Sequence, residues 1–225
     1  HSYGGAVITN AATGNPNVKS LVYIAAFAPD TGETVGELAA KYPGSRLTDD
    51  PSAAVPTALN AVPVPQAQGG TDLYLKPEKF RDVFLSNRLN SATAAVLAAT
   101  QRPGTPATTT DRSKTPAWKT VPSWYLVATD DRTIGTANLR FMAKRAGAHT
   151  VEVNAPHAAY LTAPREVTDL ILRAARGRSP GQRPSLADTG HSSHRIAAAA
   201  GAAGAAMAAG AALITVSRAG RNPKD

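Results

Sequence analysis

Apolar and β-branched residues along this chain collect in three short runs, at Val18–Phe27, Val121–Ala128 and His149–Val153. The first two runs are nearly continuous, as is typical of strands that are buried on both faces of a parallel sheet. The segments Thr136–Ala148 and Ala163–Arg176 follow the second and third runs and repeat their apolar positions with helical periodicity. This alternation of strand, loop and helix predicts an α/β fold built on a parallel sheet.

The chain opens with His1-Ser2-Tyr3-Gly4, which matches the last four positions of the pattern G-x-S-x-G. This pattern forms a sharp strand-to-helix turn that presents a serine nucleophile, and its glycines avoid a clash with the tight backbone. Small and apolar residues up to Gly14 predict the helix. The first glycine of the pattern would lie upstream, so we expect this chain to be the C-terminal part of a longer protein. We expect the side chain of His1 to point away from the site and to be structural.

Residues 31–120 contain many prolines and no recognisable strand. A loop of this length is uncommon in a compact domain. Three helical stretches are predicted within it, at Thr34–Lys41, Lys76–Asn87 and Ser91–Thr100. We therefore predict a helical cap that is inserted over an active site, and the alternative is a flexible linker.

Candidate catalytic side chains follow the second and third runs. Asp130 and Asp131 lie in the loop after the second run, and His157 lies in the turn after the third. An imidazole with an ordinary pKa of about 6.5 can take a proton from a serine hydroxyl and return it near neutral pH. A buried carboxylate can orient that imidazole. Because adjacent side chains point to different sides, at most one of the two aspartates is expected to serve.

Residues 1–28 and 122–175 resemble the α/β-hydrolase superfamily, in particular the small esterase branch related to plant methyl esterases and hydroxynitrile lyases. The resemblance rests on the serine turn, the aspartate loop and the histidine turn, which follow one another in the order that this fold uses. It implies the C-terminal part of an α/β-hydrolase fold, a parallel sheet with a helical cap insertion.

The same resemblance implies roles for individual residues. Ser2, Asp131 and His157 correspond to the catalytic triad, and the family spacing favours Asp131 over Asp130. The backbone N–H of Tyr3 corresponds to one donor of the oxyanion hole. The loop that supplies the second donor would lie upstream of this chain.

The function that the resemblance implies is that of a carboxylesterase-like serine hydrolase acting on a small-molecule ester. One alternative is a hydroxynitrile-lyase-like activity, in which the same triad does acid–base chemistry without an acyl-enzyme. Another is a catalytically inactive surface protein. Cysteine is absent, and no cluster of histidine and acidic residues has the spacing of metal ligands. We therefore predict no metal and no cofactor.

The basic charge of the chain is concentrated at its end. The formal net charge is +8. From Arg173 onward there are eight basic and two acidic residues, whereas the first 172 residues carry 16 basic and 14 acidic ones. A nucleic-acid-binding face would need its basic residues on the folded domain, so we predict no nucleic-acid partner.

The last fifty residues predict a different kind of organisation. Residues 176–195 are rich in Arg, Ser, Pro and Gly and are predicted to be a disordered linker. Ile196–Val216 is a run of 21 uncharged residues, long enough to cross a bilayer. Twelve of these residues are alanine and three are glycine, so the alternative is a low-complexity helix. A short basic segment at 218–225 follows, and it would stay in the cytoplasm.

The linker contains the pentapeptide Leu186-Ala187-Asp188-Thr189-Gly190. Pentapeptide, apolar span and basic tail together resemble a sortase cell-wall sorting signal of the L-A-x-T-G type. The resemblance implies that a sortase transpeptidase cuts after Thr189 and that the protein is secreted and anchored to the cell wall. The predicted organisation is therefore a partial hydrolase domain at 1–175, the linker, a transmembrane helix at 196–217 that holds the protein in the membrane before processing, and the basic tail.

Overall fold

The computed structural model describes residues 1–50, 52–64 and 70–177. Its helices and strands, in chain order, are α1 (Gly4–Ala11), β1 (Leu21–Ile24), α2 (Val35–Ala40), β2 (Leu59–Val64), β3 (Gly70–Leu75), α3 (Pro77–Val83), α4 (Ser91–Ala99), α5 (Ala107–Thr110), β4 (Ser123–Ala128), α6 (Thr136–Arg145), β5 (His149–Val153), α7 (Ala159–Thr162) and α8 (Pro164–Ala175). The predicted sorting motif at Leu186–Gly190 and the predicted span at 196–217 lie outside the described residues. None of the helices that are described has the length and apolar character needed to cross a bilayer.

Three parallel strands form the main sheet in the order β1-β4-β5. Tyr23 of β1 is opposite Tyr125 of β4, and Leu126 of β4 is opposite Val151 of β5. Every residue of β4 is buried, as expected for a central strand with helices on both faces. The three strands fall within the three apolar runs, so the prediction of an α/β fold with a parallel sheet is confirmed.

The main apolar core lies between this sheet and its helices. Helix α8 directs Val167, Leu170 and Ala174 inward at helical spacing, and α6 buries Leu139 and Met142. Both helices contact β4. Burial of a side chain the size of leucine or methionine contributes about 1.5–3 kcal/mol. The helices are therefore held against the central strand, whose carboxyl end carries the candidate acid.

A second apolar cluster, called here the cap cluster, lies within the predicted cap insertion. Its buried members are Ala58, Leu75, Phe80, Val83, Leu85, Ala94, Ala98 and Ala158. Helices α3 and α4 contact each other and supply four of these eight residues, Phe80, Val83, Ala94 and Ala98. Ala158 is the member that follows the candidate histidine in sequence, so the cap cluster reaches the loop at the end of β5.

The expectation that residues 31–120 contain no strand is wrong. Strands β2 and β3 form an antiparallel hairpin in which Leu59 is opposite Leu75 and Val64 is opposite Gly70. The four central residues of β2 are exposed, and Pro63 among them fits only a strand with a free edge. Pro63 in β2 and Gly70 and Asp72 in β3 are residue types that strands disfavour, which is why the pattern of the sequence missed the hairpin.

Part of the predicted insertion packs on the main core instead of on the cap cluster. Val35 and Leu38 of α2 are buried in the main core, and so are Ala117 and Trp118 of the 3₁₀ turn at Ala117–Lys119. The indole N–H of Trp118 donates to the carbonyl of Pro29 at 2.9 Å. The three helices predicted in this region are present as α2, α3 and α4.

Candidate active site

Ser2 stands at a strained turn that leads from the edge of the sheet into helix α1. Its backbone N–H donates to the carbonyl of Ala25 at 3.2 Å, and its carbonyl accepts from the N–H of Phe27 at 3.1 Å. These bonds extend the parallel pairing of the sheet by one bridge, from Ser2 to Ala26. The φ angle of Ser2 is +53°, a left-handed conformation that side chains other than glycine rarely adopt. Helix α1 begins two residues later, so the predicted turn from the serine into a helix is present.

Gly5 is the glycine of this turn at which a side chain would clash with the backbone. A Cβ atom at Gly5 would lie 2.2 Å from the carbonyl oxygen of Phe27, closer than any real contact. At Gly4, no heavy atom lies within 4 Å of such a Cβ. The clash expected for the glycine of the pattern therefore falls one residue further along, where α1 crosses the end of β1.

Asp131 and His157 form a buried pair at the carboxyl ends of β4 and β5. The Nδ1 atom of His157 lies 2.7 Å from Oδ2 of Asp131, and both side chains are inaccessible to solvent. The other carboxylate oxygen, Oδ1, accepts the backbone N–H groups of Thr133 and Ile134, each at 2.8 Å. All of the hydrogen bonds of this carboxylate therefore come from its own loop and from the histidine.

These contacts decide the protonation of the pair. Burial alone raises the pKa of Asp131, but the adjacent His157 and the two backbone N–H groups outweigh it and hold the pKa below its ordinary value. The carboxylate is then charged at neutral pH and accepts only. The proton of the shared hydrogen bond consequently belongs to Nδ1 of His157, so that in the neutral imidazole Nε2 is the nitrogen with the free lone pair.

The Nε2 atom of His157 is buried and has no hydrogen-bond partner within the described part of the chain. A buried polar atom without a partner is costly and uncommon in folded proteins. An imidazole that is tied at Nδ1 and unpaired at Nε2 is arranged to accept a proton from a group that approaches it.

Asp130 differs from Asp131 in its partners, because its carboxylate pairs with arginines and not with His157. Its carboxylate forms ion pairs with Arg88 at 3.1 Å and with Arg132 at 3.3 Å. Its side chain retains 28% exposure, whereas that of Asp131 retains none. Of the two aspartates that the sequence leaves open, Asp131 is thus the one that contacts His157.

His1 contacts the candidate site, and the expectation that its side chain points away is wrong. Its Nε2 atom lies 3.0 Å from the carbonyl oxygen of His157, and the two ring centroids are 4.5 Å apart. Phe84 contacts both rings, and Tyr160 contacts that of His1. Since His1 precedes Ser2 directly, these contacts bring the serine turn and the histidine loop together.

Phe84 and Tyr160 are the site residues that the sequence analysis missed. Tyr160 lies three residues after the candidate histidine, which is a usable signal, because the turn after a catalytic residue often lines its pocket. Phe84 comes from the cap, 73 positions before His157. No local pattern connects it to the site, and only the folded chain brings it there.

The backbone N–H of Tyr3 makes no hydrogen bond to any residue in the described ranges. Tyr3 is the residue before the first turn of α1, where N–H groups are unpaired and the helix dipole favours negative charge. This N–H group is therefore available to an oxygen atom that carries developing negative charge.

An apolar cavity of about 310 Å³ lies next to these aromatic contacts. Its walls include Phe80, Phe84, Leu97, Tyr160 and Leu161. A larger cavity, of about 450 Å³, is lined in part by Tyr3 and by residues of α1. Ser2, Asp131 and His157 line neither of these two cavities. Phe84, in the wall of the smaller cavity, contacts the rings of His1 and His157, and Tyr160, in the same wall, contacts the ring of His1. Among the residues that the structure describes, no group of three or more His, Cys, Asp or Glu is placed to hold a metal ion.

A parallel sheet with a serine turn and a buried acid–histidine pair on the loops at its carboxyl edge defines the class of α/β hydrolases. Residues 1–170 match the model of the alpha/beta hydrolase family, and the chain belongs to this family.

Solved structures show the same fold at low sequence identity. Polyneuridine aldehyde esterase matches with a TM-score of 0.58 and 18% identity, over 78% of this chain and 69% of its own. A methylesterase from Arabidopsis matches with a TM-score of 0.58 and 17% identity, over 79% and 67%. An extracellular α/β-hydrolase from a Paenibacillus species matches with a TM-score of 0.55 and 22% identity, over 77% and 69%. A search of curated proteins finds no match to this chain.

Proposed function

We propose that the protein is a serine hydrolase that cleaves a small carboxylic ester with Ser2, Asp131 and His157. The observation that carries the proposal is the buried Asp131–His157 hydrogen bond of 2.7 Å, which leaves Nε2 of His157 buried and without a partner among the residues that the structure describes. The strained serine turn beside it and the membership of the family support the same conclusion. Two of the solved relatives are themselves named as esterases.

In the first half of the reaction, Oγ of Ser2 attacks the ester carbonyl while Nε2 of His157 takes the hydroxyl proton. The carbonyl oxygen becomes an anion, and the free N–H of Tyr3 stabilises it. Asp131 stabilises the imidazolium through the hydrogen bond to Nδ1. When the tetrahedral intermediate collapses, the C–O bond to the alcohol breaks, His157 gives its proton to the leaving oxygen, and an acyl-serine remains.

In the second half, a water molecule takes the place of the alcohol. Nε2 of His157 removes a proton from the water as its oxygen attacks the acyl carbonyl. Collapse of the second intermediate returns the proton to Oγ of Ser2 and releases the carboxylic acid. The net reaction consumes one ester and one water and yields one acid and one alcohol.

The apolar cavity beside Phe84 and Tyr160 is proposed to hold the larger apolar group of the substrate. Its volume of about 310 Å³ is at the lower end for small-molecule pockets. Its walls come mainly from the cap, and Gln101 and Arg102 supply polar groups. A compact ester with one apolar group fits these walls better than a long-chain lipid or a polymer.

The test is turnover of a p-nitrophenyl ester by the full-length protein and its variants. Ser2→Ala and His157→Ala are each expected to lower kcat by several orders of magnitude, because the two groups act as a unit. Ser52→Ala is the control, since Ser52 is exposed and lies in a turn before β2. Near-normal turnover by His157→Ala would refute the assignment.

A fluorophosphonate probe separates the proposal from its alternatives. A phosphonylated peptide that contains Ser2, absent from Ser2→Ala, is expected for a serine hydrolase. Labelling without ester turnover, together with cleavage of a cyanohydrin, would favour the lyase-like alternative. Absence of labelling and of both activities would favour an inactive surface protein.

We also propose that the enzyme is exported and joined to the cell wall through Leu186–Gly190. This part of the proposal rests on the sequence alone, because these residues lie outside the described ranges. The apolar span and the basic residues Arg218, Arg221 and Lys224 follow the pentapeptide at the spacing of a sorting signal. A sortase transpeptidase would cut between Thr189 and Gly190.

Mass spectrometry of protein released from the cell wall tests this proposal. The expected C-terminal peptide ends at Thr189 and carries a peptidoglycan fragment. Thr189→Ala should leave the protein uncut in the membrane fraction. Recovery of the wild-type protein intact through Asp225 would refute the sorting proposal and leave the hydrolase proposal unaffected.

A further inference from the structure

The cap segment at residues 82–88 has an uncommon backbone. Two consecutive residues, Ser86 and Asn87, have positive φ angles of 47° and 60°. Such left-handed residues other than glycine are strained and persist where the surroundings hold them. Here the N–H of Asn87 donates to the carbonyl of Arg81 at 2.9 Å, and the Arg81 side chain donates to the carbonyl of Leu89 at 2.8 Å. These hydrogen bonds involving Arg81 of α3 hold the turn in place, apart from its contacts with the candidate site.

This segment contacts the acid loop, residues 129–135, at several points. The carbonyl of Val83 accepts the buried hydroxyl of Thr133 at 2.9 Å. The hydroxyl of Ser86, which is 5% exposed, donates to the backbone carbonyl of Asp130 at 2.5 Å. Asp131 lies between the two residues that the segment holds.

The same segment contacts the histidine loop, residues 154–158. The carbonyl of Phe84 accepts the N–H of Ala158 at 3.2 Å. The ring of Phe84 meets the ring of His157 edge-on at 4.9 Å. His157 is therefore flanked by cap contacts on its ring and on the residue that follows it.

Arg88 is the residue whose side chain joins the two loops. Its guanidinium donates to Oδ2 of Asp130 at 3.1 Å and to Oδ1 of Asn154 at 2.6 Å. Asp130 precedes Asp131, and Asn154 lies three residues before His157. One planar, multiply donating group is thus bonded at the same time to the loop of the acid and to the loop of the base.

We propose that Arg88 is a positioning residue that holds the acid loop and the histidine loop in the register needed by the Asp131–His157 hydrogen bond. Its catalytic consequence rests on the proposed function, whereas its effect on the hydrogen bond does not. The backbone bond from the N–H of Asp130 to the carbonyl of Ala155, at 3.1 Å, sets the spacing of the loops. Arg88 adds a second, side-chain link on the outer side of that bond.

The partial exposure of Arg88 and Asp130 distinguishes a positioning role from a role in stabilising the fold. The side chains of Arg88 and Asp130 are 37% and 28% exposed, and ion pairs at such positions contribute little to folding. Reaction rate depends much more steeply on geometry, since a misplacement of about 1 Å can cost about 100-fold. Loss of Arg88 should therefore reduce kcat far more than it reduces thermal stability.

The kinetic test is a double-mutant cycle in the full-length protein with a p-nitrophenyl ester. Arg88→Ala is expected to lower kcat about tenfold or more, with KM changed less than about threefold. In the Asp131→Asn background the same change should cost less than about twofold, because the hydrogen bond that Arg88 positions is already lost. Arg88→Lys should recover only part of the rate, since an ammonium cannot bind both loops in the same plane.

Arg140→Ala is the matched control. Arg140 forms a bidentate pair with Glu152 at 2.8 Å and, with 54% side-chain exposure, contacts neither loop. It should leave kcat unchanged in both backgrounds. An Arg88→Ala variant that behaves like Arg140→Ala, or an equal loss in the wild-type and Asp131→Asn backgrounds, would overturn the proposal.

A readout that is independent of ester hydrolysis is the far-downfield proton NMR signal of the Nδ1–H···Oδ2 bond. Arg88→Ala should shift or broaden this signal, and Arg140→Ala should not. A wild-type protein without esterase activity but with this response would refute the proposed function and retain the positioning role. An unchanged signal in Arg88→Ala would refute the positioning role.

Discussion

The main sheet and the cap hairpin differ in how far their strands are buried, although the buried members of the cap cluster are as little exposed as those of the main core. In the main core the central strand β4 is buried along its whole length, and Tyr125, Leu126 and Val127 have no exposed surface. In the cap, β2 is exposed over its four central residues. Of the eight buried members of the cap cluster, three are small alanine side chains that lie on α4 or next to His157.

This difference assigns different tasks to the two regions. The loops that carry Asp131 and His157 leave the most deeply buried strand and its neighbour, so their starting points are rigid. The cap contributes Phe84, the cavity wall and the contacts of segment 82–88. A layer with little buried surface can change its residues at small cost to folding, which suits the part of the molecule that shapes the substrate pocket.

The largest expected effect is at Gly5, where the helix of the serine turn crosses the main core. Gly5→Ala should lower the free energy of unfolding by about 3 kcal/mol or more, because the new methyl group would overlap the carbonyl of Phe27. Gly4→Ala is the control and should change stability by less than about 1 kcal/mol, since its Cβ meets nothing within 4 Å. Denaturant unfolding measures both, and equal effects would disprove the steric argument.

The same substitution in the two regions tests the difference in burial directly. Leu126→Ala in β4 should cost about 2–5 kcal/mol, because the fully buried side chain leaves a cavity. Leu97→Ala in α4 removes a partly buried side chain of the cap cluster, so we expect a loss of about 1–2 kcal/mol. Should the cap variant lose as much as the core variant in urea unfolding, the two regions would not differ as described.

Acidification should weaken the main core at the Asp131–His157 pair. The folded-state pKa of Asp131 is lowered, so the charged carboxylate stabilises the fold above its unfolded pKa of about 3.9, and this contribution is lost as the pH falls through the folded value. At neutral pH, Asp131→Asn is expected to cost about 1–3 kcal/mol. Its difference from the wild type in urea unfolding should stay nearly constant from about pH 6 to about pH 4 and shrink as the pH falls further. A difference that is already lost above about pH 5, or that persists unchanged well below about pH 4, would contradict the argument.

The smallest effect is expected at the exposed edge of the cap. Arg46 pairs with Asp82 at 3.0 Å, but its side chain is 55% exposed. Arg46→Ala should therefore change stability by about 0.5 kcal/mol or less. Thermal unfolding in about 1 M salt should abolish even this difference, because the ion pair is screened. A larger loss that persists in salt would mean that Arg46 acts through its packing.

The sheet and its loops could be predicted because their signals are local. A strand buried on both faces needs consecutive apolar residues, and β1 and β4 lie in such runs. Ser2 lies two residues before helix α1, and the aspartate and histidine loops directly follow β4 and β5. The motif and the order of these residues along the chain were therefore sufficient to identify them as candidates. The cap hairpin could not be predicted in this way, since strands that bury little surface impose no periodicity.

Local sequence determined the α/β fold, the serine turn, two candidate aspartates and one candidate histidine. The family spacing favoured Asp131 over Asp130, but only the tertiary structure shows which side chain meets His157 and which meets Arg88 and Arg132, because both aspartates follow the same strand. The tertiary structure also shows that Gly5, and not Gly4, is the position where a side chain would clash. The physical reason is the same in both cases: close contacts between residues that are distant along the chain have no counterpart in the pattern of neighbouring residues.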